Sequence, residues 1–314
     1  MNRPTSPASR QFVAIAALCL VAWASTARGG GGPENVVVVV NSRSWSSLTV
    51  ANHFVALRDI PSTNVVHLEY DGSFDTVGAD QFREDILQPV IKAIEQRGLA
   101  DHIDYIIYST DFPHAVNATA DVKDVEMTEA ARKTFNPIGS INGFTYLYGF
   151  TLSKSSAVLS PRSNSYMRSA LAPDQQEPTR AFRNRYGWNI GGGLDAKGTH
   201  YMLSMMLACT TGRGNSVSEA VEYLRRGAAA DGTHPTGTIY FAQNDDVRSQ
   251  TRHRVFPSAV AALEREGVAA EIVTGILPRN KPDVQGLVVG AQKFDWPKSL
   301  STIRTGAICE HLTS

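Results

Sequence analysis

This sequence has no excess of charge of either sign, little cysteine and no long apolar run beyond residue 30. Its 30 lysine and arginine residues balance 30 aspartate and glutamate residues, which argues against the basic surface that proteins use to capture nucleic acid. Hydrophobic residues make up 42% of the 314 positions and charged residues 19%, so the chain is able to bury a real core. We therefore expect a globular protein without a nucleic-acid partner.

Short motifs that carry well-known chemistry are also missing. The sequence has no G-x-S-x-G nucleophile elbow, no H-E-x-x-H zinc helix, no P-loop and no C-x-x-C pair. The glycines at 191–193 do not open a helix after a strand, so they are not a dinucleotide fingerprint. These absences leave the cofactor unknown, and they leave open whether the protein is an enzyme.

The one long apolar run lies at the N-terminus. Arg3 and Arg10 precede an uncharged segment over 12–24, and small residues follow it. This is the layout of a signal peptide, and the run is shorter than the roughly 20 apolar residues that a membrane-spanning helix needs. We predict a signal peptide over 1–27, a flexible joint over 28–34 and no membrane span after cleavage. The protein is then exported to the periplasm or beyond, and the alternative is an uncleaved anchor.

Signal cleavage would remove Cys19 and leave Cys209 and Cys309. Two cysteines are able to pair in an oxidising compartment. A bridge also requires Cα atoms within about 7 Å, and sequence spacing does not reveal that distance. We interpret both residues as buried thiols and keep a disulfide as the alternative.

The first half of the mature chain alternates between strand-like and helix-like segments. The valine run from 36 to 40 is typical of a strand buried on both faces of a parallel sheet. A helix follows over Ser47–Asp59, with serines at 46 and 47 as candidate caps. The remaining predicted elements here are a strand over 64–69, a helix over 80–98 interrupted by Pro89, and a strand over 104–109. This order predicts right-handed parallel βαβ units.

The second half of the chain returns to this alternation after an irregular stretch. Residues 110–198 show no clear period and predict an insertion. A helix begins at Ser216, where Glu219 completes a capping box. Another helix is predicted over Ser249–Gly267, with Pro257 near its middle. Further strands are predicted over 200–208, 238–242, 270–274, 284–289 and 306–309.

Together these segments predict a single α/β domain over residues 35–314. We expect three layers, with a mostly parallel sheet and helices on both of its faces. In such sheets, ligands bind beyond the carboxyl ends of the strands, where loops and helix N-termini converge. The polar residues just after the predicted strands are therefore candidate ligand-binding residues: Asn41, Ser42, Thr110, Asp111 and Asn244.

Three further residues after predicted strands have side chains suited to metal binding or catalysis. Asp245 and Asp246 offer hard oxygen ligands for a divalent cation, although Asn and Asp also commonly cap turns. His311 is a candidate acid, base or ligand because its pKa lies near neutrality. Cys209 is a candidate nucleophile, provided that a base lies nearby.

Several segments resemble a family of uncharacterised exported bacterial proteins. They are PENVVVVVN at 33–41, the R-x-I-P-x-x-N-V pattern at 58–65, the strand DYII at 104–107 and TGAICEHLTS at 305–314. That family is distantly similar to caspase-like cysteine peptidases of the gingipain type. The resemblance implies a caspase-like sheet with a catalytic histidine after one central strand, at the place of His311, and a cysteine after the next.

The same resemblance implies a glycine-rich continuation and one more strand after His311. The chain ends three residues later, at Ser314, so the strand that would carry the nucleophile is absent. We therefore expect a product truncated at its C-terminus, or a domain that binds without cutting. The leading hypothesis is an exported caspase-like domain without a complete catalytic dyad that binds a peptide or a cell-envelope surface. The alternatives are a metal-assisted hydrolase that uses Asp245 and Asp246, and a structural module of the cell envelope.

Overall fold

The computed structural model shows an α/β protein with parallel sheets and helices packed on them. It describes residues 31–129, 135–159, 183–186, 194–212, 214–234 and 236–312. The predicted signal peptide and residues 28–30 of the predicted joint lie outside these residues. In the part that is described, no helix is both long enough and apolar enough to cross a bilayer.

The strands and helices are labelled here in chain order. The strands are β1 (Val36–Asn41), β2 (Val65–Leu68), β3 (Thr76–Gly78), β4 (Tyr105–Tyr108), β5 (Ala115–Asn117), β6 (Ile138–Ser140), β7 (Arg183–Tyr186), β8 (Leu194–His200), β9 (Leu203–Met206), β10 (Thr238–Gln243), β11 (Ala270–Thr274), β12 (Val284–Gly290) and β13 (Ile303–Leu312). The α-helices are α1 (Trp45–Arg58), α2 (Ala79–Phe82), α3 (Gln88–Gln96), α4 (Thr119–Val122), α5 (Ile141–Tyr146), α6 (Tyr148–Leu152), α7 (Val217–Ala230), α8 (Val247–Gln250) and α9 (Phe256–Arg265).

Contacts between residues divide the chain into two compact units. The first unit comprises the described residues within 1–43, 60–108 and 112–206. The second unit comprises the described residues within 44–59, 109–111 and 207–314. Each unit contains one four-stranded parallel sheet.

The sheet of the first unit has the order β2-β1-β4-β9, and all of its pairs are parallel. The valines of β1 from Val37 to Val40 are at most 1% exposed. A strand whose successive side chains point to opposite faces is buried throughout only when both faces are covered. The prediction of a doubly buried first strand is therefore confirmed. A smaller sheet in this unit, β3-β5-β6, contains two strands from the stretch that showed no period.

The predicted helix over 80–98 is present but changes its winding. A π-helical stretch over Arg83–Leu87 joins α2 to α3. Proline cannot donate an amide hydrogen bond and clashes with the preceding turn, so an interruption next to Pro89 is expected. Gly98 follows the helix at φ +69°, a left-handed conformation that favours glycine. The predicted interruption and the predicted glycine cap are both confirmed.

A buried ion pair links α4 to the π-helical stretch of the first unit. Both terminal nitrogens of the Arg83 guanidinium donate to the Asp121 carboxylate at 2.8 Å, and the two side chains are 2% and 5% exposed. Arg83 also donates to Asp80 at 2.8 Å and to the Thr151 carbonyl at 3.2 Å. The hydrogen bonds with Asp121 raise the pKa of the Arg83 guanidinium further above its ordinary value.

The sheet of the second unit has the order β11-β10-β12-β13, again with parallel pairs. Helix α7 begins with the predicted capping box, in which Ser216 accepts from the Glu219 amide and Glu219 accepts from the Ser216 amide. The prediction that a helix begins at Ser249 and runs to Gly267 is wrong about where the helix begins. Helix α9 begins at Phe256, so Pro257 lies in its first turn, where the missing amide hydrogen costs nothing.

Candidate functional site

A cluster of hydroxyl groups surrounds the Asp111 carboxylate in the second unit. Ser44 donates to Oδ2 of Asp111, and Thr210 donates to Oδ1 at 2.6 Å. The Thr110 hydroxyl lies 3.0 Å from that of Thr210 and 3.3 Å from Oδ1 of Asp111. Thr110 and Ser44 are buried, and Asp111 and Thr210 are partly buried. The structure thus brings two predicted ligand-binding residues, Thr110 and Asp111, together with Thr210, which also follows a predicted strand, and with Ser44, which was not predicted.

Ser44 occupies its place because it caps α1. Its hydroxyl oxygen accepts a hydrogen bond from the Ser47 amide at 3.0 Å and satisfies one of the free amides of the first turn. The predicted cap at Ser46 or Ser47 is wrong, because both residues already lie inside the helix. Ser44 stands directly before the helix and three residues from Ser47, so the N-cap rule was able to find it.

Backbone geometry holds the rest of the cluster. Asp111 has φ +58°, in the left-handed region that Asp and Asn tolerate better than most residues. In the loop that carries Thr210, the Asn215 amide donates to the Cys209 carbonyl at 2.8 Å. A side chain on Gly214 would collide with that same carbonyl, so the tight turn requires glycine there. The cluster therefore offers a carboxylate and polarised hydroxyls in a defined arrangement, which suits contact with a polar ligand.

Two predicted ligand-binding residues lie in the first unit and serve local structure there. Asn41 is fully buried, and its Oδ1 accepts a hydrogen bond from the Arg43 amide at 3.1 Å. The Ser42 amide donates to the Leu68 carbonyl at 2.8 Å, and its hydroxyl lies 3.5 Å from Nδ1 of His67. Asn41 thus forms the side-chain turn with which asparagine commonly ends a strand.

The Asn244, Asp245 and Asp246 segment contains a cap. Asp246 accepts from the Arg248 amide at 2.9 Å and so caps α8, and Asn244 accepts from the Asp246 amide at 2.9 Å. The bond from the Arg248 amide lowers the pKa of the Asp246 carboxyl. No group of three or more His, Cys, Asp or Glu side chains that would hold a metal ion occurs among the described residues. The alternative of turn capping, kept open at the outset, is the arrangement that the structure shows for this segment.

The two candidate catalytic residues make separate local contacts. Cys209 is exposed, and its sulfur lies 3.7 Å from the Thr211 hydroxyl and 3.8 Å from the Thr211 carbonyl oxygen. Cys309 is also a free, exposed thiol. The expectation of two buried thiols is therefore wrong, because both residues lie where the chain meets solvent.

His311 lies inside a strand and not after one. Strand β13 continues to Leu312, so His311 pairs with Val289 of β12. Its Nε2 lies 2.8 Å from the Ala291 carbonyl oxygen, which only accepts hydrogen bonds, so Nε2 carries the proton in the neutral ring. The ring also contacts Phe294, with the two ring centres 4.7 Å apart. These contacts fix the orientation of the imidazole within the sheet.

A serine–histidine pair in the second unit was not predicted from the sequence. The Ser249 hydroxyl lies 2.7 Å from Nε2 of His253 and donates to the Ala242 carbonyl at 3.0 Å. Ser249 is 1% exposed, so its hydroxyl is out of reach of a substrate. This pair therefore holds the turn before α9, and no sequence motif marks it.

The outer edge of β13 is one of the two edges of the second unit's sheet, and it carries exposed side chains. β13 is the last strand in the sheet order, and among the described residues only β12 pairs with it. Ile308, Cys309 and Glu310 are all exposed, and Ile308 reaches 77%. Because successive side chains of a strand point to opposite faces, three exposed residues in a row mean that both faces are open here.

The fold and these sites define an α/β protein with parallel sheets, and no closer relationship emerges from similarity. Comparisons with family models, with curated proteins and with solved structures give no match to this chain.

Proposed function

We propose that this protein is a binding protein that takes up an extended polypeptide segment along the outer edge of β13. The observation that carries the proposal is the open edge of this ten-residue strand, with Ile308 77% exposed in its regular part. Unpaired amides and carbonyls along an edge strand form a ready template for another strand. An added strand would satisfy these groups and cover the apolar side chain.

The opposite edge of the same sheet is a poorer template. β11 has five residues, of which Ala270, Ile272 and Val273 are only partly exposed. A helix contacts each edge strand, α9 on β11 and α7 on β13, so helix packing does not distinguish the two edges. The edge of β13 is longer and more open at Ile308, so it is the edge that we assign to binding.

The local contacts of Cys209 and His311 support binding without cleavage. A nucleophile and its base must lie within hydrogen-bond reach of each other. The contacts of Cys209 are with Thr211, and the proton-bearing nitrogen of His311 faces the Ala291 carbonyl. We accordingly propose a caspase-like, three-layer domain that lacks a working dyad, exported by its leader to a peptide or cell-envelope partner. The parallel sheets with intervening helices support this finer fold assignment.

Hydrogen exchange tests the binding proposal on the full chain. The probe is a soluble peptide of about eight alternating threonine and valine residues, a good strand former. We expect the peptide to slow amide exchange over residues 303–312 and to leave β12 unchanged. The variant Ile308→Lys should abolish this protection, because a lysine blocks pairing at an edge. The matched control Ile276→Lys, at a 44% exposed position two residues beyond the end of β11, should keep this protection. At a protein concentration where the chain is monomeric, unchanged exchange over 303–312 at about 1 mM peptide would refute the proposal.

A second candidate function rests on the exposure of Cys209. Its thiol is open to solvent, and the next residue, Thr210, donates to the Asp111 carboxylate. This is a position from which a thiol is able to attack a substrate, given a base. A peptidase activity that is lost on treatment with iodoacetamide and in Cys209→Ser, but kept in Cys309→Ser, would support this function in place of the first.

A further inference from the structure

The charges along β13 are arranged so that the strand complements itself when reversed. Arg304 lies near its beginning and Glu310 near its end, at equal distances from Ala307. In an antiparallel pair of two β13 strands centred on Ala307, Arg304 of each strand stands opposite Glu310 of the other. Opposite charges that face each other across two strands stabilise the pair, whereas like charges destabilise it.

The same register also matches the side-chain sizes along the edge. Ile308, the most exposed apolar residue of the strand, would stand opposite Gly306, which has no side chain. Gly306 has φ +80°, and the pairing of β13 with β12 shifts between Ile303 and Ile308. The strand therefore bows in its middle, and a large side chain from a second copy finds room there.

Both charged groups remain available for such a contact. Glu310 accepts from Arg252 at 2.8 Å on one oxygen and makes a second bond to the same guanidinium, yet its side chain stays 51% exposed. A carboxylate has about four lone-pair positions, so it is able to accept a further guanidinium. Arg304 is exposed. The chain carries no net charge, so two copies approach each other without overall repulsion.

We infer that the strand taken up at the β13 edge is β13 of a second copy of this chain, antiparallel and related by a two-fold axis near Ala307. The inference rests on the proposed function and names its partner. The same patch serves both copies, so the contact closes at two chains. The β11-β10-β12-β13 sheets of the two copies then join into one continuous sheet across the axis.

The test is light scattering coupled to gel filtration on the full chain, over protein concentrations up to about 100 μM. We expect a concentration-dependent dimer for the wild type. Arg304→Glu places like charges opposite each other twice and should weaken the dimer by at least about tenfold. The matched control Arg265→Glu makes the same charge change on α9 and should dimerise as the wild type does. Dimer formation should also slow amide exchange over 303–312.

Two results would overturn the inference. One is a wild-type chain that stays monomeric throughout the concentration range, and the other is an Arg304→Glu chain that dimerises as strongly as the wild type. The peptide experiment separates these results from a failure of the proposed function. A monomeric chain whose β13 amides are still protected by the threonine–valine peptide retains the binding function and loses only the second copy as partner. A monomeric chain without that protection loses both.

Discussion

Removal of the Asp121 carboxylate should destabilise the first unit strongly. In Asp121→Ala, the Arg83 guanidinium remains 2% exposed but loses the two hydrogen bonds of 2.8 Å that balance its charge. It keeps the bond to Asp80, whose side chain is 54% exposed and screened by water, and the longer bond to the Thr151 carbonyl. Leaving one partner of a buried pair uncompensated costs about 3–5 kcal/mol. Because Asp80 still pairs with Arg83, we expect the free energy of unfolding to fall by about 3 kcal/mol, the lower end of that range.

The loss is best measured as the free energy of opening from amide exchange in β1, the buried central strand of the first unit. A chain with two compact units need not unfold in a single transition, so exchange in one strand gives a cleaner measure than a melting temperature. The control is Asp80→Ala, which removes the exposed acid from the same guanidinium and should cost clearly less. The double variant Arg83→Met/Asp121→Leu removes both charges, so it should recover most of the stability lost in Asp121→Ala.

An Asp121→Ala chain no less stable than Asp80→Ala would refute this reasoning. It would mean that water or a shift of the backbone reaches the guanidinium and removes the penalty of burial. A double variant as unstable as Asp121→Ala would also contradict it, because the loss would then come from packing and not from an uncompensated charge.

Three further outcomes are expected. Ser44→Ala removes the cap of α1 and the hydrogen bond to Asp111, so it should lower the free energy of unfolding in urea by about 1–2 kcal/mol. The control Ser46→Ala lies inside the helix and should lower it by less than about 0.5 kcal/mol. Hydrogen bonds from Arg83 lower the pKa of Asp80 from 3.8 to about 2. The stabilisation from Asp80 is therefore complete above about pH 4 and is lost as the pH falls through about 2. In Asp80→Asn, the free energy of unfolding should fall less between about pH 4 and about pH 2 than in the wild type, and an equal fall would contradict this. In a Cys19→Ser/Cys309→Ser chain, the exposed Cys209 thiol should react with Ellman's reagent in the native state, and full protection until unfolding would show that the loop closes over it.

The features predicted correctly are those that a local signal sets. The valine run predicted β1, the capping box predicted the start of α7, and Gly98 predicted the end of the interrupted helix. Each of these features depends on a few neighbouring residues and on a period of two or 3.6, so no distant contact was needed. The errors at Ser44 and Pro257 also concern local rules, because more than one residue satisfied the same rule and the wrong one was chosen.

Other features were beyond sequence reasoning because they depend on distant contacts. Ser44 and Thr210 meet Asp111 across 67 and 99 positions of the chain. The length of β13 beyond Cys309, which places His311 inside the sheet, depends on its pairing with β12. The exposure of Cys209 and Cys309 likewise depends on what packs around them.

The sequence by itself determined the alternation of strands and helices, the parallel character of the pairing and the polar residues that follow the strands. Periodicity, caps and β-branched runs act through the backbone within a turn or two, so they are written in the order of the residues. Only the tertiary structure decided that the strands form two four-stranded sheets, that a carboxylate gathers hydroxyls from three segments, and that β13 lies at an edge. Strand order and side-chain meeting follow from long-range packing, which balances buried surface against the entropy of closing each loop, and a local pattern does not record that balance.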